Sequence, residues 1–430
     1  MGDIILESPS IPESRILESL CAATEDHAVV ATPADAVDRM PPRWVAMPDS
    51  TEQTAAVMRV AADHDLAVVV RGSGTKLSWG ARPERVDLVL DTTRMDSVVE
   101  HAAGDLIVVV GAGMRLHDLQ AGLVGSGQWL AVDPPRSGTV GGLIATAATG
   151  PTRLLHGPVR DLLIGVTVVR ADGVVAHAGG KVVKNVAGYD VGKLLTGSFG
   201  TLAVITQAAF RLHPLPEVRR WVSVPVTHPD GIQAMVQDVV HSQLVPTAVE
   251  LDRPATGDAT LSLLLEGIPP GVESRTNAAL DLLGTGATAG DDAPGWWGAE
   301  PLVGDEVLLK LTHEIAGLAQ LLTALDDVCA QTGFTAHLRG SVAVGAVTVG
   351  LAGMAGRVDA RTSALFSCVE SLRERAPSFG GTVVVLEAPG DGKADLDVWG
   401  PVGGLQLMQA VKRQFDPERR LAPGRFVGGI

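Results

Sequence analysis

The sequence predicts an α+β protein of two domains, on three observations. Strand-like apolar runs alternate with helix-period segments through most of the 430 residues. Pro214 and Pro216 interrupt a strand, and the grammar changes beyond them. Glycine is in excess, and 22 of its 50 residues fall between positions 71 and 200. A chain of this length fits two or three domains at roughly 100–200 residues each. The expected division is an N-terminal segment 1–43, a first domain 44–216, a second domain 217–400, and a tail 401–430.

The elements follow in order. Ser50-Thr51-Glu52-Gln53 has capping-box spacing, and the apolar positions after it fit a helix ending near His64. Strands are expected at Leu66–Val70, Val86–Leu90, Leu106–Val110, Asp161–Arg170 and Leu202–Leu212. Beyond the proline pair come strands Trp221–Val226, Ala248–Leu251 and Thr260–Leu265, with helices near Gly231–His241 and Arg275–Leu283. A long helix at His313–Gln331 precedes strands Phe334–Leu338 and Val342–Leu351, a helix Ala360–Arg375 and a strand Thr382–Leu386. This alternation fits an antiparallel sheet with helices on one face. Ala278–Gly298, rich in Gly, Ala and Asp, is expected to be a surface loop.

Composition excludes several classes. The net charge of -15 argues against a protein that grips a phosphate backbone, so no nucleic-acid partner is expected. Residues 1–20 lack the basic-then-apolar order of a signal peptide. The apolar runs are strand-sized, so no integral membrane segment is expected. Three scattered cysteines, Cys21, Cys329 and Cys368, exclude a disulfide framework and a four-cysteine cluster within the chain. A cytoplasmic protein is expected, peripheral to a membrane only through partners.

Three glycine clusters could carry chemistry. In Val70-Arg71-Gly72-Ser73-Gly74-Thr75-Lys76-Leu77-Ser78, a strand runs into a turn whose N–H groups could converge on an anion. For a lone Gly-x-Gly, a tight turn without ligand is the favoured reading. The dinucleotide fingerprint Gly-x-Gly-x-x-Gly fails at Leu77 and, for Gly111-Ala112-Gly113, at Leu116. A phosphate-binding P-loop fails at Leu194, after Gly192-Lys193. The second cluster is Asp133-Pro134-Pro135-Arg136-Ser137-Gly138-Thr139-Val140-Gly141-Gly142, which leads into a helix of small residues. The third is Gly179-Gly180-Lys181-Val182-Val183-Lys184-Asn185-Val186-Ala187-Gly188-Tyr189-Asp190.

In this order the segments resemble the vanillyl-alcohol-oxidase/p-cresol-methylhydroxylase superfamily of FAD proteins, and within it the FAD-binding subunits of glycolate-oxidase type. The tail segments Val398-Trp399-Gly400-Pro401, Phe415-Asp416-Pro417 and Leu421-Ala422-Pro423-Gly424-Arg425-Phe426 match as well. The resemblance implies a two-part FAD-binding domain of the p-cresol-methylhydroxylase type, completed by the tail, and an antiparallel-sheet cap domain. It implies that Arg71, Gly72, Ser73, Gly74 and Thr75 hold the pyrophosphate through backbone N–H groups, with Ser78 nearby. Asp133, Pro134, Gly138, Thr139, Gly141 and Gly142 would form a second cofactor wall. Gly150, Gly157 and Asp161 would continue it, and Gly200, Val204 and Ile205 would meet the adenine–ribose end. Arg425 would return toward the flavin ring, although Ala422 stands where the family commonly has Asn. No His or Cys lies in 71–80 or 133–142, so non-covalent FAD is expected.

Catalytic candidates are Lys184, Tyr189, His337, Arg339 and Arg425, each with a structural alternative: a loop fastener, or a polar sheet edge for His337 with Arg339. Gly390-Asp391-Gly392-Lys393 lacks flanking histidines and reads as a turn, so no metal site is expected. The resemblance implies oxidation of a small 2-hydroxy acid to a 2-oxo acid, with electrons passing through this chain's FAD. The partners it implies are a second flavoprotein subunit, in which the hydride transfer itself is expected, and an iron–sulfur subunit. The alternatives are a stand-alone glycolate or D-lactate dehydrogenase and a non-catalytic FAD-binding scaffold.

Overall fold

The computed structural model describes residues 13–180, 190–256, 258–301, 307–353, 358–389, 393 and 396–430, with side chains of the helix beginning at 358 described from 362 onward. The candidates Lys184 and Tyr189 lie outside the described residues, as do Lys181 and Asn185.

The first sheet has four strands: β1 (Ala28–Val30), β2 (Trp44–Ala46), β3 (Val68–Arg71) and β4 (Leu88–Asp91), in the order β1-β2-β4-β3. β2, β4 and β3 run parallel, and β1 pairs antiparallel with β2. Strands buried on both faces are continuous apolar runs, as Leu88-Val89-Leu90 is here. Helices α1 (Glu13–Ala23) and α2 (Thr51–Asp63) pack Ile16, Leu20, Val57 and Met58 onto this sheet. Ser50 caps α2 by accepting from Gln53 N at 3.2 Å. The reciprocal half of the box falls one residue earlier, with Asp49 N donating to Gln53 Oε1 at 3.0 Å.

Strands β5 (Val98–Ala102), β6 (Ile107–Gly111), β7 (Gln128–Trp129), β8 (Leu163–Val169), β9 (Val175–Gly179), β10 (Val204–Arg211) and β11 (His213–Pro214) come next. Five of them form an antiparallel sheet in the order β5-β6-β10-β8-β9, and β7 pairs with β11. Helices α3 (Leu116–Val124), α4 (Val140–Thr146), α5 (Arg153–His156), α6 (Val159–Leu162) and α7 (Val191–Leu195) surround it. The expected strand at 161–170 therefore starts two residues late, because Asp161 and Leu162 close a helical turn. Pro214 sits within a strand, not outside one. A two-residue edge pairing tolerates its missing N–H.

The third sheet has eight antiparallel strands: β12 (Val218–Val226), β13 (Ala248–Arg253), β14 (Ala259–Gly267), β15 (Thr288–Gly290), β16 (Val307–Thr312), β17 (Thr335–Ser341), β18 (Ala346–Ala352) and β19 (Val383–Glu387). Their order is β15-β12-β14-β13-β17-β18-β16-β19. Side chains alternate between faces along a strand. Val249 and Leu251 of β13, and Leu309 and Leu311 of β16, join one core with α8 (Pro229–His241), α9 (Pro269–Leu283), α10 (Leu318–Thr332) and α11 (Val358–Arg375). The expected sheet with helices on one face is borne out. Its other face carries Glu250, Asp252, Lys310 and Arg339, turned toward the glycine-rich half.

The segment 278–298 is not a loop throughout. α9 runs to Leu283, and Thr288–Gly290 pairs with Ser223-Val222-Trp221 as an edge strand. Trp297 then meets the Trp221 ring edge-on at 6.2 Å, an apolar anchor that a Gly/Ala/Asp-rich composition hides.

The tail carries α12 (Leu405–Phe415) and returns to the first sheet. Val68 N donates to Arg420 O and Ala422 N donates to Val68 O, each at 2.8 Å.

Candidate active site

A cleft of about 790 Å3 opens where β3 runs into residues 72–77, α4 begins, and residues 199–205 and Arg425 close the side. Arg71 ends β3, and its guanidinium is held by Asp91 and Asp35, each at 2.8 Å. That side chain is spent on structure, so residues 72–75 offer backbone to the cleft. A Cβ on Gly72 would collide with Thr139 Oγ1, and Gly74 has φ +73°, where glycine is favoured. Thr139 caps α4 by accepting from Gly142 N at 3.4 Å. Gly138, Gly141, Gly142 and Ala145 keep that wall low.

Arg425 is 4% exposed and lines the cleft. Its Nη2 donates to the backbone oxygens of Leu77 and, at 2.9 Å, Trp79. Its Nη1 is buried with no hydrogen-bond partner. Burial lowers its ionisation to about 10. An orphaned guanidinium N–H is costly unless a ligand supplies the acceptor. Ala422 holds the preceding turn at φ +43°, a left-handed conformation that asparagine tolerates better than alanine.

The structure brings Gly72, Ser73, Gly74, Thr75, Gly138, Thr139, Gly141, Gly142, Gly200, Ile205 and Arg425 to this cleft. The other expected cofactor residues lie outside it. Ser78 Oγ donates to Glu387 at 2.7 Å, fastening the loop to the third sheet. Asp133 is half-buried, and its carboxylate accepts from Thr152 Oγ1 at 2.7 Å and from Thr152 N at 3.1 Å. Burial pushes its ionisation up. Gly157 faces Asp161, whose side chain is half exposed beside Arg160, and Val204 is fully buried in the first core. Pro134 and Gly150 line a second cavity.

That second cavity, about 820 Å3, lies between residues 134–153 and the polar face of the third sheet. Lys76 and Thr146 line both cavities, so the two are neighbours sharing a wall. Arg136 spans the gap: its guanidinium binds Glu387 at 2.5 and 2.9 Å and Glu300 at 2.6 Å. Lys76 Nζ donates to Arg136 O at 2.7 Å, and burial lowers its ionisation to about 8. Arg339 reaches the cavity, but Asp252 holds its Nε at 2.7 Å and accepts from His337 Nε2 at 2.7 Å. Burial works to raise Asp252, yet these hydrogen bonds hold its carboxyl below the usual range. The candidate pair His337 and Arg339 is thus tied to a neighbouring carboxylate.

Three further cavity residues escaped sequence reasoning. Lys310 and Arg153 are half-buried, and neither makes an ion pair among the described residues. Burial lowers both ionisations; the neighbouring Arg153 cation lowers Lys310 further, while Glu250 and Asp161 oppose the shift at Arg153. Glu250 is 4% exposed and accepts from Ser341 Oγ. Burial pushes its ionisation up to about 8, with Asp133 adding to the rise and Arg153 opposing it. The available signal was a lone charge in an apolar strand, Val249-Glu250-Leu251 and Leu309-Lys310-Leu311.

Among the described residues, no group of three or more His, Cys, Asp or Glu could hold a metal ion, and no helix is long and apolar enough to cross a membrane. Burial raises the thiols of Cys329 and Cys368 to about 11 and about 12. No histidine or cysteine is among the described residues lining the first cleft.

Comparison with known proteins agrees with this architecture. Residues 42–179 match the FAD binding domain family. The chain is 27% identical to a glycolate oxidase subunit of Bacillus subtilis over 90% of each chain. It is 36% identical to a D-lactate dehydrogenase of Archaeoglobus fulgidus over 48% of this chain and 46% of that protein. Its fold superposes on p-cresol methylhydroxylase with a TM-score of 0.76, covering 97% of each chain at 16% identity. The glycine cradle and the orphaned Arg425 N–H fit FAD, an anionic dinucleotide that needs close backbone approach and buried donors. The resemblance is borne out in fold and cofactor class: residues 42–179 match the FAD binding domain family, the fold is that of p-cresol methylhydroxylase, and the chain is an FAD-dependent oxidoreductase.

Proposed function

We propose that the chain oxidises a small 2-hydroxy acid to the 2-oxo acid in its second cavity, with non-covalent FAD in the first cleft. FAD supplies the two-electron acceptor for a hydride leaving the substrate carbon. Residues 72–75 and 138–142 would hold the cofactor through backbone donors, and Arg425 Nη1 would give it a buried hydrogen bond. The observation that carries this reading is the pair Arg153 and Lys310. Two desolvated cations that make no ion pair among the described residues, one wall away from the cofactor cleft, suit a substrate carboxylate. Arg136, clamped between two glutamates, would keep the cavity closed to bulk water.

This placement favours oxidation within the chain over transfer in a partner. The names of the similar proteins, a glycolate oxidase subunit and a D-lactate dehydrogenase, agree with a 2-hydroxy acid. We further propose that the chain works as a flavoprotein subunit beside a second flavoprotein and an iron–sulfur subunit. Its three cysteines are too few for a four-cysteine cluster, so such a cluster would come from another subunit.

Binding of oxamate, read from the flavin spectrum, tests the substrate site. Arg153→Ala and Lys310→Ala should each weaken it at least tenfold. Unchanged affinity in both variants would remove the basis for the carboxylate site.

A further inference from the structure

The cavity walls and the groups behind them carry several proton acceptors, and the structure accounts for most of them. Glu300 is bound by Arg136 at 2.6 Å, and Glu387, just behind the wall, is bound by the same guanidinium and by Ser78. Asp252 takes both His337 and Arg339 on one oxygen, which also occupies the imidazole. Asp133 has three contacts from Thr152. Glu250 differs. One of its oxygens accepts from Ser341 Oγ, and among the described residues no hydrogen bond engages the other. It forms no ion pair among the described residues, although it lines the same cavity as Arg153 and Lys310.

Its position follows from strand geometry. β13 turns Val249 and Leu251 into the helical core and Glu250 to the opposite face, opposite Ser262 on β14 and Ser341 on β17. The charged groups around it are Arg153 from α5 and Asp133 from the loop before α4. Lys310, Arg339, Asp252 and His337 lie on the same sheet face.

We propose that Glu250 is the proton acceptor of the oxidation: its free carboxylate oxygen takes the hydroxyl proton of an acid anchored on Arg153 and Lys310. The O–H bond breaks as the new O–H of Glu250 forms. The Cα–H bond breaks with both electrons leaving as hydride to the flavin, and the C–O bond becomes the carbonyl. The inference rests on the proposed function, and it assigns the proton transfer of that oxidation to a glutamate.

A carboxyl ionising at about 8 accepts protons in proportion to its ionised fraction, which is half at that pH. The rate of flavin reduction by D-lactate or glycolate in the full-length FAD-loaded chain should therefore rise with pH to a plateau, with a midpoint of about 8. Glu250→Gln should slow reduction at least ~100-fold and abolish that rise. Its affinity for oxamate, followed by flavin absorbance, should change less than threefold. Ser341→Ala keeps the carboxylate but removes the donor that favours its charged form, so the midpoint should move to higher pH. That variant serves even where Glu250→Gln fails to fold.

The proposal is overturned if Glu250→Gln reduces flavin within fivefold of wild type, or if Ser341→Ala leaves the midpoint unmoved. It also falls if Lys76→Met, not Glu250→Gln, removes the rise, since Lys76 titrates in the same range. A wild-type chain whose flavin no 2-hydroxy acid reduces overturns the proposed function itself, and the assignment of Glu250 with it.

Discussion

Lys412 offers a direct way to weigh the tail's contribution. It is buried on α12, and its Nζ donates to Asp416 at 2.6 Å, to Thr201 O at 2.7 Å and to Leu421 O at 2.9 Å. Asp416 is fully buried and also accepts from Arg420 N at 2.9 Å and Leu421 N at 2.7 Å. These bonds seat residues 420–422 on β3 and so aim Arg425 into the cofactor cleft. Lys412→Met keeps the apolar stem and removes the charge. It leaves a buried carboxylate without its cation and two carbonyls without a donor, which costs about 3–5 kcal/mol. Unfolding entropy is about 2.1 cal/mol/K per residue, so a chain of 430 residues should melt about 3–5 °C lower. The assay is thermal unfolding followed by circular dichroism at fixed FAD. Adding Asp416→Asn to Lys412→Met should recover part of the loss, because the orphaned charge is then gone. A shift below about 1 °C for Lys412→Met, or strict additivity in the double variant, would refute the reasoning.

Other expectations follow from the same contacts. Gly72→Val forces a side chain into Thr139 Oγ1, and flavin retained through gel filtration should fall at least tenfold. Arg136→Ala leaves Glu387 and Glu300 facing each other without their cation. With the guanidinium about a quarter exposed, screening limits the loss to about 2–3 kcal/mol, seen as a lower urea midpoint together with weaker oxamate binding. Glu250 is raised from 4.5 to about 8 in the folded chain, so between those values the native state holds a proton that the unfolded chain has lost. Its contribution is complete below pH 4.5 and declines as pH rises toward 8, by at most about 1.4 kcal/mol per pH unit. Glu250→Gln should flatten stability across that window, which urea titrations at pH 5 and pH 8 can compare.

The cofactor cleft was more legible in the sequence than the cavity beside it. Gly72, Gly74, Gly138, Gly141 and Gly142 announce themselves because a cradle for a long anionic ligand must be bare, and bareness is written as glycine in local runs. Their convergence with Arg425 was readable only through the resemblance, since 349 residues separate Arg425 from Lys76, whose carbonyl it approaches. Arg153, Glu250 and Lys310 come from three distant elements, and antiparallel register sets their neighbours. Locally, Glu250 and Lys310 are marked only by a charge inside an apolar strand, and Arg153, on α5, by nothing. His337 and Arg339 looked more eligible, yet Asp252 on the adjacent strand occupies both, a pairing that only the register of β13 with β17 reveals. Residues 278–298 misled for a similar reason: Gly, Ala and Asp dominate the composition, while one short pairing and a tryptophan contact decide the structure.

The central claim is that the second cavity delivers a 2-hydroxy acid to a flavin in the neighbouring cleft of the same chain. The most direct measurement is anaerobic titration of the purified, FAD-loaded chain with glycolate and with D-lactate, without any partner. The account predicts that the flavin band at about 450 nm bleaches with one of them and that one 2-oxo acid forms per flavin reduced. A band that persists with both acids while dithionite bleaches it would contradict the claim.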